Sequence, residues 1–341
     1  MMDVARRAGV SIATVSNVIN RPEKVSPATT QRVREAIKEL AFVRNDAARA
    51  LAVGTSSSLG LVIADIENSL FVDMAQGAQQ AANRAGLRLV LGNASCAMEQ
   101  QDDYLDLFDE SRVAGLLLAP MEDSTEAINR MRSHGRQIVL MNYAPRSQDC
   151  CAVVVNNEEV GYLATRHLIE SGSTRIAFVA GRDFYQPVHD RRVGARRAAA
   201  EAGLVLEEID TRGLIHDDGQ EVARQLLMRR PELVPDGIVA VTDAIANGVI
   251  QGLEDDGTLR VPRDIGVVGC EDNRSAASGP VPLTAVQLQG VAMGAAATDL
   301  LLEEVAAAPG EHEHRTVVLR PQLVVRRSTL NAGLRNLTVT S

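Results

Sequence analysis

From Leu59 onward the chain is a succession of short apolar runs, each bounded by turn residues and separated by amphipathic stretches, and the pattern occurs twice. The first set comprises LGLVIAD (59–65), LRLVLGN (87–93), GLLLAP (115–120) and QIVLMN (137–142), with amphipathic segments such as 71–85 and 99–111 between them. After Asn156 come RIAFVAG (175–181), GIVAVTD (237–243) and IGVVGC (265–270). A strand that is apolar along its length needs cover on both faces, and intervening helices supply both that cover and the crossover that parallel pairing demands. Two sets therefore predict two doubly wound parallel sheets in an α/β body. Strand-like pieces at 283–288 and 316–325 flank an Ala-rich helix of about 291–308, so the chain can return to the first sheet and cross back. The expected division is 59–156 with 288–316 in an N-terminal subdomain, 157–287 with 317–328 in a C-terminal subdomain, and a tail at 329–341. Ligands of parallel sheets sit beyond the carboxyl ends of the strands. That rule nominates Asp65, Asn142, Asp243 and Glu271 for a cleft between the two sheets. Each could equally cap a helix or turn; their shared position favours a small-molecule pocket.

Ahead of this body the texture is different. In DVARRAGVSIATVSNVIN (3–20), Val4, Ala5 and Ala8 recur at helical spacing, Gly9-Val10 breaks the helix, and Ser11 offers a cap to a second one. Val15, Val18 and Ile19 give that second segment one apolar face, leaving Ile12, Ala13, Thr14, Ser16 and Asn17 pointing elsewhere. Two short helices joined by a tight Gly turn, with a small Ala5 at the crossing, read as a helix-turn-helix rather than an ordinary hairpin. Such a second helix must stand clear of the body to enter a major groove about 12 Å wide. Ser26-Pro27 then starts a third helix, with Val33, Ile37 and Leu40 on its inner face and Arg32, Arg34 and Lys38 on the others. Residues 1–45 thus form an all-α headpiece, and 46–58 combine a short Ala-rich helix, marginal by itself, with a Gly/Ser linker.

The net charge of −9 looks wrong for a nucleic-acid binder until it is divided. Residues 1–58 hold nine Lys/Arg against five Asp/Glu, a net +4, so the remainder carries −13. A basic head on an acidic body concentrates phosphate attraction at one end. No secretory signal precedes the first helix, which predicts a cytoplasmic protein. Cys96, Cys150, Cys151 and Cys270 show neither metal-ligand spacing nor a disulfide framework, and the adjacent pair reads as two buried small hydrophobes. The tract Glu311-His312-Glu313-His314 follows Pro309-Gly310 without a second pair of ligands, so a solvated loop and no metal site is expected. No P-loop, no G-x-G-x-x-G after the first strand and no Ser/His/Asp grouping is present, so neither catalysis nor a cofactor is expected. A free-standing small-molecule receptor would share the two-sheet body, but the basic head argues against it.

Taken in order, DVARRAGVSIATVSNVIN, VSPATTQRV, AARALAVG, SLGLVIADIENSLF, VAGLLLAP, DRRVGARRAAAEAG and RVPRDIGVVGCED resemble the LacI/GalR family of bacterial transcriptional repressors, from about Asp3 to Ser328. The resemblance implies a helix-turn-helix headpiece on two periplasmic-binding-protein-like subdomains. It implies a homodimer that binds a pseudo-palindromic operator under control of a small-molecule effector, a sugar or related metabolite. Ile12, Ala13 and Asn17 fall at positions that read bases, and Thr14, Ser16 and Asn20 at positions that grip phosphates. Leu51 matches the hinge leucine that wedges into the minor groove, flanked by Asn45 and Arg49 as backbone contacts. In the body, Leu70, Phe71, Asn142, Arg191, Thr242, Asp243 and Glu271 match effector-pocket positions, with Asp65 beside them. The chain also departs from the family. Either its first helix lacks an N-cap or the start lies upstream; Arg44 replaces the proline before the hinge Asn; Glu271 replaces the commoner Asp. With no Trp, Phe71, Phe184 or Tyr185 would have to stack on a sugar. The segment after Ser328 has no leucine heptads, which points to a dimer rather than a tetramer.

Overall fold

The computed structural model describes residues 1–42, 56–120, 122–146, 149–181, 185–308 and 310–329. The expected hinge helix with Asn45, Arg49 and Leu51, as well as Phe184 and the segment from 330 onward, lies outside the described residues. The chain divides into two units, Met1–Thr55 and Ser56–Ser341.

The first unit holds α1 (Met2–Ala8), α2 (Ile12–Asn20) and α3 (Pro27–Glu39). Gly9 ends α1 at φ +64, a left-handed conformation that glycine adopts without steric cost. Ser11 Oγ accepts the Thr14 amide at 3.1 Å, and Ser26 Oγ accepts that of Thr29 at 3.4 Å, with Pro27 opening α3. No side chain caps α1, which begins at Met2. Val4, Ala5, Ala8, Val15, Val18, Val33 and Ala36 form the core. Leu40, expected on the inner face of α3, is 43% exposed. The helix ends at Glu39, and the chain folds back through a Phe42 amide to Ile37 carbonyl bond of 3.0 Å, so Phe42 packs against the core instead.

The second unit contains two six-stranded sheets. The first is ordered β11-β5-β4-β3-β1-β2 and is parallel throughout: β1 (Ser58–Ile63), β2 (Arg88–Asn93), β3 (Leu116–Leu118), β4 (Ile138–Met141), β5 (Cys151–Val155) and β11 (Thr316–Leu319). The second is ordered β12-β10-β9-β8-β6-β7: β6 (Ile176–Ala180), β7 (Glu207–Asp210), β8 (Gly237–Ala240), β9 (Gly266–Gly269), β10 (Thr284–Gln287) and β12 (Gln322–Val324). Only its β10–β12 pair is antiparallel. In chain order the helices are α4 (Ser69–Arg84), α5 (Met98–Glu110), α6 (Thr125–Ser133), α7 (Asn157–Glu170), α8 (Gln186–Glu201), α9 (His216–Leu227), α10 (Asp243–Asp256) and α11 (Gly290–Ala306). None of the described helices is long and apolar enough to cross a membrane.

Two strands carry no sign in the strand–helix alternation. β5 follows β4 with no helix among the described residues of 142–150, and β7 is the acidic edge strand EEID, which no neighbour covers on one side. The expected 316–325 strand is in fact two. Val317, Val318 and Leu319 pair with Val153, Val154 and Val155 in the first sheet, whereas Gln322–Val324 pairs in the second. The chain therefore crosses at Arg320-Pro321, not at 316/317, and Pro321 has no amide to continue a ladder. The His312/His314 loop is likewise not a free solvated turn, because the β11–β5 pairing draws it against Cys151 and Glu304.

Helix pairs cross where glycines let backbones touch. A Cβ on Gly161 of α7 would lie 1.8 Å from the Arg191 carbonyl oxygen of α8, and one on Gly194 of α8 would lie 1.8 Å from the Glu158 carbonyl oxygen. The same device joins α4 to α11 through Gly77 and Gly294, and α9 to α10 through Gly219 and Gly248.

Candidate functional site

Beyond the carboxyl ends of β1, β3, β4, β6, β8 and β9 the second unit encloses a cavity of about 710 Å³. Small-molecule sites typically span roughly 300–1,000 Å³. Asp65, Leu70, Phe71, Asn142, Arg191, Thr242 and Glu271 all line it. They come from both sheets and from α4 and α8, so the strand-end rule and the topology converge on one space.

The polar wall is a connected network. Arg191 is 2% exposed; its Nε donates to Asn157 Oδ1 at 2.9 Å and its Nη1 to the Val241 carbonyl at 2.6 Å. The same Nη1 lies 3.7 Å from Glu271 Oε1. Asn157 Nδ2 in turn donates to Asn142 Oδ1 at 3.2 Å. Asn142 adopts φ +52, a left-handed backbone that asparagine tolerates better than most residues. Glu271 Oε1 accepts Asn68 Nδ2 at 2.9 Å across the cleft, and its Oε2 accepts Asn273 Nδ2 at 3.1 Å. Burial pushes the Glu271 carboxyl above its usual range, while Arg191 and Asn68 pull it back. A guanidinium beside a carboxylate, with amides around them, offers donors and acceptors at one wall.

Asp243 does not join that wall. Its side chain is fully buried, and its two oxygens accept the amides of Glu271 at 3.2 Å and Asn273 at 2.9 Å. It is the first residue of α10, so its side chain is committed to holding the β9–β10 turn under Glu271. Burial, and then the neighbouring Glu271 charge, hold its carboxyl well above the ordinary value. Thr242 borders the cavity while serving as the cap of α10, its Oγ1 accepting the Ile245 amide at 3.2 Å.

Several lining residues escape a reading of the sequence. Asn68 looks like a helix cap, and it is one, with Oδ1 accepting the Leu70 amide at 2.9 Å, but its Nδ2 reaches Glu271. Residues 212–218, after the unanticipated β7, contribute Arg212, His216 and Asp218 among others. Tyr185, by contrast, is one of the aromatics expected from the sequence, and it lines the cavity as Phe71 does; its hydroxyl is pushed up to about 12 by burial, with Cys96 next, so it stays protonated.

In the first unit, α2 exposes Ile12 (47%), Ala13 and Asn17, opposite the buried Val15 and Val18. Thr14 and Ser16 are half-buried, and Thr14 Oγ1 lies 2.9 Å from Ser11 Oγ within the cap. Asn20 ends α2, and its side chain is outside the described residues.

Residues 1–45 match the family described as bacterial regulatory proteins, lacI family, and 165–329 match the periplasmic binding protein-like domain. The chain is 33% identical over 337 residues to the HTH-type transcriptional repressor PurR of Vibrio campbellii, covering 96% of this chain and 97% of that protein. It is 31% identical over 335 residues to PurR of Aliivibrio fischeri, covering 96% and 98%. Among solved structures it resembles the transcriptional regulator CelR in complex with cellobiose (28% identity, TM-score 0.70, covering 96% of this chain and 98% of that one). The lac repressor dimer bound to operator shares the fold, with a TM-score of 0.78 at 24% identity over 96% of this chain and 98% of that one. A helix-turn-helix head, two mostly parallel sheets around a cleft and this likeness over nearly the full length agree, and the chain belongs to the lacI family of bacterial regulatory proteins, as a DNA-binding transcriptional repressor with an effector-binding body.

Proposed function

We propose that the 710 Å³ cavity takes a polyhydroxylated, sugar-like metabolite, and that its occupancy sets how two copies of the chain hold a pseudo-palindromic operator. What carries this reading is the buried Arg191–Glu271 pair at the wall, flanked by Asn142, Asn68 and Asp65, with Phe71 and Tyr185 as apolar faces. Such a mixture suits hydroxyls, which donate and accept at once. The cellobiose complex of CelR supports the same class of ligand. In the head, Ile12 and Ala13 offer apolar contact to a thymine methyl and Asn17 a hydrogen bond to a base edge, while Thr14, Ser16 and Asn20 grip phosphates. Leu51 wedges into the minor groove between the half-sites, and Asn45 and Arg49 flank it as contacts to the DNA backbone. The protein works in the cytoplasm as a homodimer that binds and switches without catalysis or a cofactor.

For a switch, the ligand must favour one cleft geometry, because equal affinity for both shifts nothing. Thermal-shift measurements with sugars, nucleosides and related metabolites test the ligand class, since a ligand that binds only the folded state raises its melting temperature. A hit among sugars that also changes operator affinity in a gel shift is the expected result. Stabilisation by nucleosides alone would replace the sugar reading, and a hit with no effect on operator binding would overturn the proposed control.

A further inference from the structure

The loop 310–315 brings two histidines to a place where the fold supplies two more ligands. Cys151 at the start of β5 is fully buried, and Glu304 near the end of α11 is 7% exposed. Cys151 Sγ lies 3.2 Å from His312 Nε2 and 3.8 Å from His314 Nδ1, and His314 Nδ1 lies 3.9 Å from Glu304 Oε1. All four ligand atoms fall within 4.8 Å of one another. Bonds of about 2.0–2.3 Å at tetrahedral angles place ligand atoms roughly 3.3–3.8 Å apart. Three of the separations are already at or near that value, so closing on an ion takes small side-chain rotations. Glu304 Oε2 is buried with no hydrogen-bond partner, an acceptor left unsatisfied in the cluster.

We propose that Cys151, Glu304, His312 and His314 form a binding site for one zinc-type divalent cation. One thiolate, two imidazoles and one carboxylate are a borderline-soft, closed donor set, which fits a structural ion better than a catalytic one. Thiolate and carboxylate together neutralise the ion. Ligation releases the Cys151 thiol proton to solvent. Arg132 Nη2 now lies 2.7 Å from His314 Nε2, which leaves the ring proton on Nδ1. When Nδ1 ligates, that proton moves to Nε2 and Arg132 gives up the contact, remaining beside Glu304, whose Oε1 is 3.6 Å from its Nη1. A cation at this carboxylate's flank then serves as the outer partner that ligating carboxylates ordinarily have.

The site lies at the starting ends of the strands of the first sheet, opposite the ends that line the cavity. β1, which follows the linker, starts at the same end of the sheet, three strand positions from β5, about 14 Å at ordinary strand spacing. Bound metal would tie α11, the loop and β5 together there, independently of the effector.

Full-length protein stripped with a chelator and titrated with Zn²⁺ by calorimetry tests this, alongside Co²⁺ followed by absorption. The expected result is one equivalent bound, a thiolate-to-cobalt charge-transfer band, and a melting temperature raised by Zn²⁺. His312→Ala and Cys151→Ser should each weaken binding at least tenfold, and Cys151→Ser should abolish the band. If Cys151→Ser fails to fold, His312→Ala, on a half-buried loop residue, decides by itself. No binding at one equivalent, or unchanged affinity in His312→Ala, overturns the site.

Discussion

Arg191 and Asp243 carry opposite lessons about single side chains. Both are buried, and the strand-end rule points Asp243 to the pocket as the family resemblance points Arg191, yet one lines the cavity and the other braces the wall behind it. Replacing Arg191 with Ala removes the partner of a buried carboxylate and two hydrogen bonds, and breaking such a pair costs about 3–5 kcal/mol. The expected outcome is a lower denaturant midpoint together with loss of any effector-induced thermal shift; a retained shift would remove Arg191 from the site. Asp243 makes a prediction about pH. Its folded-state pKa is raised, so between the ordinary carboxylate value and the raised one the folded protein holds a proton that the unfolded chain releases. Its contribution to stability is full below the ordinary carboxylate range, about 4, and is lost as pH rises through the raised folded value. Wild-type stability measured relative to Asp243→Asn should therefore increase as pH falls from 7 toward 4. A difference independent of pH would mean that Asp243 stays ionised in the folded protein.

At the scale of elements, the glycine crossings decide where pocket residues stand. Gly161 permits α7 to touch α8 at the Arg191 backbone, so Gly161→Ala must push that helix outward. Such overpacking costs about 1–3 kcal/mol. Effector affinity should fall with stability, because Arg191 moves with its helix; thermal melts and ligand titration of the variant check both. In the head, Ser11→Ala removes the cap that α2 takes from Ser11, worth about 1 kcal/mol. Operator affinity should drop while the effector-induced shift in melting temperature stays unchanged. The helices and caps of the head are legible because caps and periodicity are local. β5 and β7 are not: CAVVV has no helix before it among the described residues to complete the alternation, and EEID is an edge strand free of the apolar requirement.

Across the whole molecule, function rests on a division of charge and of labour. With +4 in the first 58 residues and −13 in the rest, phosphate attraction resides in the head. Operator binding should weaken linearly with log salt at a slope of about −0.9 per phosphate neutralised. Leu51→Ala should weaken operator binding and leave effector affinity nearly intact; an equal loss of both would collapse the two proposed roles into one. The cleft is bridged by polar contacts, Asn68 to Glu271 at 2.9 Å, Arg274 to Gln76 at 3.1 Å and Ala144 to Gln186 at 2.7 Å. Polar bridges of this kind can be exchanged for ligand contacts when the geometry of the cleft changes.

Hydrophobic period, turn residues, caps and the charge split are properties of neighbouring residues, and they determined the helix-turn-helix head, the two mostly parallel sheets and the cleft at the strand ends. Only the tertiary structure decided which distant side chains meet. Asn68 reaches Glu271 across 203 positions, Asp243 turns away from the cavity it was expected to line, and Cys151 and Glu304 complete a set that His312 and His314 lacked in the sequence. The physical reason is common to all three: burial periodicity specifies the face of each element, but the order of strands in the sheets specifies its neighbours, and that order is a product of packing the entire chain.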